Sequence, residues 1–362
     1  MGSADLSVEL LPASERDSVG SVWERLEAEG ADPGPFASWQ WTRTWLEHFG
    51  TTVSHCFALV FSGREPLGVA LLTFDRRRRG PFTFRRVHLG TAGEPPGETV
   101  FVERNRFVAR PEDGAQVGAA ITRLLEDLPS IDEIAVDGFV MDQATALVGA
   151  GAGWLLEPER CHVVDLAAAP GDDVAALFSS GVRKELRRAE RSLGPMVVEW
   201  AHDGDSGHEM LDDLMSLHQA RWTAKGLRGA FASRRVQRFH HALVTQWVPR
   251  GRLALMRVVS GQGLVGARYA FIEGDRLLGY QSGWMPVSDR DVSAGLVLQH
   301  AVLQEAHRRG FTCWDYLAGT SEQKRRLSTG EYELMWATRR RPRLRWIAFD
   351  AARAVRSLGR TT

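Results

Sequence analysis

Residues 252–284, RLALMRVVSGQGLVGARYAFIEGDRLLGYQSGW, decide the fold. Three apolar runs fill this stretch, 252–259, 264–273 and 276–284, joined by Gly261-Gln262-Gly263 and Gly274-Asp275. Short Gly-containing joints of this kind close hairpins, so the three runs form an antiparallel meander. Beyond Trp284 the pattern changes. Residues 294–309 carry the apolar repeat of a helix closed by Gly310, and 311–317 (FTCWDYL) is strand-like again. A helix between two strands is the usual crossover of a parallel pair, so the sheet is expected to be mixed.

Upstream, 195–201 (PMVVEWA) is a short strand, and 208–225 and 234–248 are helices. The first helix carries Leu211, Leu214, Leu217 and Trp222 on one stripe and stops at Gly226. Downstream come a short helix near 321–327 and a strand at 331–338. The order β-α-α-β-β-β-α-β-α-β resembles that of GNAT acyltransferases. The first half repeats it more loosely: strands at 6–11, 55–61, 67–75, 83–89 and 131–137, helices at 14–29, 37–48 and 115–127. The expected fold is therefore α/β (α+β), with tandem GNAT-like domains, each a mixed, mostly antiparallel sheet flanked by helices. Ala167-Ala168-Ala169-Pro170-Gly171 breaks both periodicities. It suggests an N-terminal half over 1–170, a C-terminal catalytic half over 171–346, and an amphipathic helical tail over 347–362.

Composition narrows the field of partners. The chain has 362 residues, about two domains' worth. Lys plus Arg and Asp plus Glu each total 45, so no global charge draws it to DNA, RNA or an anionic membrane. Its three cysteines, Cys56, Cys161 and Cys313, form no CxxC pair, which argues against a zinc site or a disulfide framework. No metal is expected. The N-terminus lacks a basic region followed by an apolar core, and no run reaches the roughly 20 apolar residues of a membrane span. The expectation is a cytoplasmic chain with no membrane span.

Five segments carry residue types suited to chemistry. In 179–194 (SSGVRKELRRAERSLG), Arg183, Lys184, Arg187, Arg188 and Arg191 surround a stripe of Val182, Leu186, Ala189 and Leu193. Arg183 and Arg187 can hold a phosphate-bearing donor bidentately, or the helix simply has a solvated basic face. In 217–222 (LHQARW), His218, Arg221 and Trp222 share a face, as pocket lining or as a hydrogen-bonded core histidine with its neighbours. In 280–284 (YQSGW), Gly283 marks a broken ladder or sits in an ordinary strand. A broken ladder would leave backbone N–H groups of Gln281, Ser282 and Gly283 free for an oxyanion. Tyr280 and Gln281 are expected on opposite sheet faces.

Residues 290–295 form the fourth segment. Small residues entering a helix N-terminus make an anion site, so Ser293, Ala294 and Gly295, with Arg290 beside them, are candidates for a donor's phosphates. Last, Asp315 falls on an apolar strand face, where a carboxylate is costly unless paired. Lys324 on the following helix is its expected partner. The pair is structural or catalytic.

Several of these blocks, read in order from about 175 to 327, resemble the CelD/BcsL-type, BioF2-like acetyltransferase family, which is GNAT-like and related to FemABX aminoacyltransferases. The matching stretches are KELRRAERSLG, LHQARWTAKGLRGAF (217–231), RFHHAL (238–243), YQSGW, SAGLVLQHAV (293–302) and WDYLAGTSEQK (314–324). SWQWTRTWLEHFG (38–50) is similar to the family's opening segment. Two positions depart from it: Ala294 stands where the family commonly has Pro, and Gln323 where it has an aromatic before the Lys.

The resemblance implies an acyltransferase that moves an acetyl or other acyl group from acyl-CoA to an amine or hydroxyl of a small-molecule or saccharide acceptor. Asp315 or His218 would take the acceptor's proton, and Tyr280 would protonate the thiolate. Lys324 completes the catalytic group. Arg221, Trp222, Arg183 and Arg187 would bind substrate, and the N-terminal half would shape acceptor choice. One alternative is a FemABX-like transferase using aminoacyl-tRNA, with tRNA as partner and Arg76–Arg79 or 339–345 on its phosphates. Another is a non-catalytic GNAT-like binding module.

Overall fold

The structure, a computed structural model, describes residues 6–285 and 293–358. The chain forms two compact units, one of Met1–Glu94, Val102–Pro158 and Met335–Thr362, the other of Pro95–Phe101 and Glu159–Leu334.

The first unit contains β1 (Leu6–Pro12), α1 (Arg16–Ala28), α2 (Trp39–Phe49), β2 (Ser54–Ser62), β3 (Glu65–Arg79), β4 (Phe82–Leu89), β5 (Val108–Ala109), α3 (Gly114–Asp127), β6 (Glu133–Val140) and α4 (Met141–Val148). β1, β2, β3 and β4 pair antiparallel in that order, and β4 then pairs parallel with β6 across the α3 crossover. The alternation of strand residues puts Ala58, Val60, Ala70, Leu72 and Val87 into a core closed by Val117, Ile121 and Leu125 of α3. Ser38 starts α2 by accepting a hydrogen bond from Trp41 N.

The second unit begins within β7 (Trp154–Asp165). It continues through α5 (Ser180–Leu193), β8 (Met196–Trp200), α6 (Gly204–Thr223), α7 (Arg234–Trp247), β9 (Leu253–Ser260), β10 (Gly263–Glu273), β11 (Arg276–Trp284), α8 (Ala294–Arg308), β12 (Cys313–Ala318), α9 (Glu322–Arg326) and the start of β13 (Gly330–Arg340). β8, β9, β10 and β11 form the expected meander. β11 then pairs parallel with β12 across α8, and β12 antiparallel with β7. The mixed, mostly antiparallel sheet read from 252–317 is the observed one, and its plan matches that of the first unit.

The local signals explain where elements begin and end. Asp203 and Ser206 form a reciprocal capping box at α6, and Ser293 caps α8 through Leu296 N. In α5, Val182, Leu186, Ala189 and Leu193 are all buried against the core that includes Val297 and Leu298 of α8. Three elements escaped the sequence reading, the first of them β5, which is only two residues long. α4 follows β6 without a break, and residues 155–160 of β7 are exposed on both sides, so they show no two-residue alternation. The segment 167–171 lies inside the second unit and begins within the 3-10 turn at Leu166–Ala168. The tail is α10 (Leu344–Leu358), which belongs to the first unit. Its Trp346 is buried, stacks on Phe84 at 3.8 Å and donates to Asp132 O. Among the described residues, no helix is long and apolar enough to cross a membrane.

Candidate functional site

The parallel ladder between β11 and β12 is short. It joins Arg276 with Cys313, Leu277 with Trp314 and Leu278 with Asp315, and stops there, although the strands run on to Trp284 and Ala318. Gly279 and residues 281–284 are therefore paired on one edge, with β10, and on the other have no strand partner among the described residues. Tyr280, Gln281 and Ser282 are partly exposed although β11 lies inside the sheet.

A β-bulge adds to the opening. Gln281 stands opposite Tyr269, Gly279 opposite Ala270, and Tyr280 is the extra residue. The bulge overturns the expected alternation of Tyr280 and Gln281. Gln281 shares the face of Tyr269, and the Tyr280 ring packs on that same Tyr269 at 5.3 Å, on Phe271 at 5.1 Å and on His240 of α7 at 5.5 Å.

One wall of the opening is the end of α6. A Cβ on Gly283 would lie 2.7 Å from Leu217 Cβ and 2.8 Å from both His218 N and Leu214 O, so only glycine lets helix and strand approach this closely. His218 is buried between Phe231 and Trp222, and Gln219 Oε1 lies 3.2 Å from its Nδ1. Burial pushes its pKa down to about 4, against the opposing bond to Gln219, so the ring is neutral near pH 7. Arg221 lies 3.8 Å over the Trp284 ring and 5.5 Å from that of Trp222.

The N-terminus of α8 is the second wall. Ser293 is its cap. A Cβ on Gly295 would meet the Trp284 ring at 3.1 Å, so this glycine admits the indole as well as shaping the helix start. Gln323, one of the departures from the family pattern, donates to Gly295 O at 2.7 Å and ties α9 to this end of α8. Ala294 is buried. Arg290 lies outside the described residues. On α5, Arg183 donates to Phe178 O at 2.6 Å, while Arg187 is exposed.

Asp315 takes a different place from the one its chemistry suggested. It is wholly buried, with Oδ1 accepting from Leu317 N at 2.8 Å and Oδ2 from Tyr332 Oη at 2.7 Å and Arg276 at 3.3 Å. Leu317 has φ of 58°, a left-handed conformation costly for a side chain with a Cβ. Lys324 Nζ donates to Leu317 O at 3.3 Å and Ala318 O at 2.6 Å, on the other side of the same bend. We read Asp315 and Lys324 as supports of the bend that turns β12 away from β11, and not as a proton acceptor and its partner.

Sequence reasoning missed Arg268, Tyr269, His240 and Gln299. All four are buried. His240 Nδ1 lies 3.3 Å from Tyr269 Oη, and Arg268 donates to Gln299 Oε1. Arg268 was legible as a charge in the centre of an apolar strand, flanked by Ala267 and Tyr269.

Residues 178–325 match the family model of an acetyltransferase (GNAT) domain. The chain is a transferase. Among curated proteins, none matches it in sequence. Solved structures extend the fold over both units. FemX is 12% identical with a TM-score of 0.56, over 91% of this chain and 96% of that one. The C-terminal domain of a putative lysylphosphatidylglycerol synthetase from Agrobacterium fabrum is 10% identical, TM-score 0.55, over 93% and 96%. L-PGS from Bacillus licheniformis is 12% identical, TM-score 0.51, over 88% and 92%. At such identities the likeness is one of fold.

Proposed function

We propose that the protein transfers an acetyl or other acyl group from acyl-CoA to an amine or hydroxyl of a small-molecule or saccharide acceptor, at the opening between β11 and β12, as a CelD/BcsL-type, BioF2-like enzyme of the cytoplasm. The observation that carries this reading is the early stop of the ladder at Leu278 and Asp315, inside the stretch that matches the GNAT model. Beyond Leu278 this edge of β11 has no strand partner among the described residues, and backbone N–H groups along such an edge suit a thioester carbonyl that becomes an oxyanion. The pantetheine arm would enter along the open edge, with its phosphates at Ser293, Ala294 and Gly295 and at Arg183 and Arg187.

In this reading the acceptor's nitrogen or oxygen attacks the thioester carbon, the C–S bond breaks, and the thiolate leaves as coenzyme A after taking a proton. Tyr280 is the candidate donor of that proton. His218, neutral and with a pKa near 4, is a weak base, so the acceptor's proton passes mainly to solvent. Positioning then supplies most of the acceleration. Residues 95–101 belong to the second unit, where Glu98 accepts from Ser233 Oγ at 3.0 Å and pairs with Arg235 at 3.5 Å. They are the part of the first half that we assign to acceptor choice.

A FemABX-like transfer from aminoacyl-tRNA is the second reading, supported by the fold shared with FemX and the lysylphosphatidylglycerol synthetases. Thermal-shift titration separates the two. A saturable rise in melting temperature with acetyl-CoA or a longer acyl-CoA is expected. No response to any acyl-CoA, with stabilisation by aminoacyl-tRNA that fades as salt is raised, would replace the first reading with the second.

A further inference from the structure

Arg268 plays no part in the transfer described above. It lies on β10, only 9% exposed, with its guanidinium 5.7 Å from the centre of the Trp314 ring and donating to Gln299 Oε1. Gln299 of α8 and Trp314 of β12 are fully buried. Among the described residues, three N–H groups of this cluster are buried without a hydrogen-bond partner: Arg268 Nε, Gln299 Nε2 and Trp314 Nε1. The amide of Gln299 has its oxygen committed to Arg268, so its NH2 is the end left over. Burial lowers the pKa of Arg268, Arg221 stands close enough to lower it further, and Arg221 Nε is also buried with no partner among the described residues. Among the described residues, no carboxylate forms an ion pair with either arginine.

Every unmet group here is a donor, and two of the side chains are cations with no counter-charge among the described residues. Such a cluster is costly in the empty protein. It is matched by a group that only accepts and carries negative charge. A carboxylate does both, offers about four lone-pair directions and fits an arginine fork. Arg268 stands opposite Ser282 on β11, whose far edge is past the end of the parallel ladder, so the cluster borders the opening.

We propose that Arg268, Gln299 and Trp314, with Arg221 beside them, form a carboxylate-recognition site, and that the molecule entering between β11 and β12 carries a carboxylate on its acyl group or on its acceptor. The proposal rests on the transfer reading for its substrates, but its geometry is independent of which donor is used. Calorimetric titration of the whole chain at fixed ionic strength tests it with two pairs of probes. Succinyl-CoA against butyryl-CoA places the carboxylate on the acyl group, and glutamate against glutamine places it on the acceptor.

The expected result is at least a tenfold tighter Kd for the carboxylate member of one pair, abolished in Arg268→Met. Gln299→Leu, which removes a neutral amide and keeps the fold in case Arg268→Met loses it, should cut the preference at least threefold. No preference in either pair, or a preference that survives Arg268→Met, overturns the proposal. If neither CoA thioester binds while glutamate still outbinds glutamine, the acyl-CoA reading fails and the carboxylate site stands. If both thioesters bind equally and the amino acids do not differ, the site fails and the donor reading stands.

Discussion

The two units build the same sheet to the same point and then differ. In the first, β4 and β6 pair at Arg86–Glu133, Val87–Ile134 and His88–Ala135. Beyond that, Asn105 bridges to Phe139: its N donates to Gly138 O at 2.7 Å and its side-chain amide to Leu89 O at 3.0 Å and Asp137 O at 3.2 Å. In the second, β11 and β12 also pair over three residues, and no described segment closes the gap beyond them. The first unit has spent its spare backbone groups on itself. The second leaves that gap without a described strand or bridge, and it is the unit that matches the GNAT model. The same sheet plan thus stands twice in the chain, with the edge open in one unit only among the described residues.

The sharpest way to break this contrast is to close the open site. Gly283→Val would drive methyl groups into backbone atoms of α6, which cannot yield as a flexible side chain would. Displacing β11 by about 1 Å should lower turnover by ~100-fold, with ~1–3 kcal/mol lost in denaturant unfolding. Near-normal turnover in Gly283→Val would mean that the free edge of β11 is not where the carbonyl sits.

Asp315→Asn asks whether the bend in β12 or a proton transfer matters. As a support, Asn keeps an acceptor for Leu317 N but loses the charge facing Arg276 and Tyr332. The expected result is a roughly tenfold lower kcat with an unchanged pH profile of kcat/KM. Loss of the acidic limb of that profile would restore Asp315 to the role of base.

Asn105→Ala opens the closed site. It strands two buried carbonyls, so the first unit should lose about 2–3 kcal/mol, while the Kd for acyl-CoA stays unchanged. A change in donor affinity would show that the filled gap takes part in binding.

The fold was legible because its signals are local. Gly274-Asp275 between two apolar runs, the helical stripe of 294–309 and the strand at 311–317 each need only their neighbours in sequence to be read. The site was legible in part. Ser293 does cap a helix that starts at Ala294, because small residues at a cap are a local feature too, whereas the bulge falls at Tyr280 and the ladder ends at Leu278, and Gly283 instead admits α6. Asp315 was picked out correctly as a buried charge, but what occupies its oxygens is Leu317 two residues on, Tyr332 from β13 and Arg276 from β11. Partners so far apart in sequence leave no periodicity. Asn105 is the extreme case, since its meaning lies wholly in three carbonyls of β4 and β6.

The smallest effect is the one in which the two units should move in opposite directions with pH. In the first, His88 is buried between Asp137, 2.6 Å from Nδ1, and Asp75, 3.5 Å from Nε2. Burial alone would lower its pKa, but the two carboxylates outweigh that and raise it. A histidine whose folded pKa exceeds its unfolded value of about 6.5 stabilises fully below that value. The contribution fades as pH rises through the folded pKa. In the second unit, His218 has its pKa held near 4, so folding is unpenalised above about 6.5 and loses stability as pH falls from there toward 4. His88→Gln should therefore cost stability mainly on the acid side and flatten the alkaline slope, whereas His218→Gln should relieve the acid slope. Denaturant midpoints measured from pH 4 to pH 9 for both variants decide this. If His218→Gln leaves the loss of stability between about pH 6.5 and pH 4 as steep as before, the neutral His218 assigned to the open site is wrong, and with it the reason for passing the acceptor's proton to solvent.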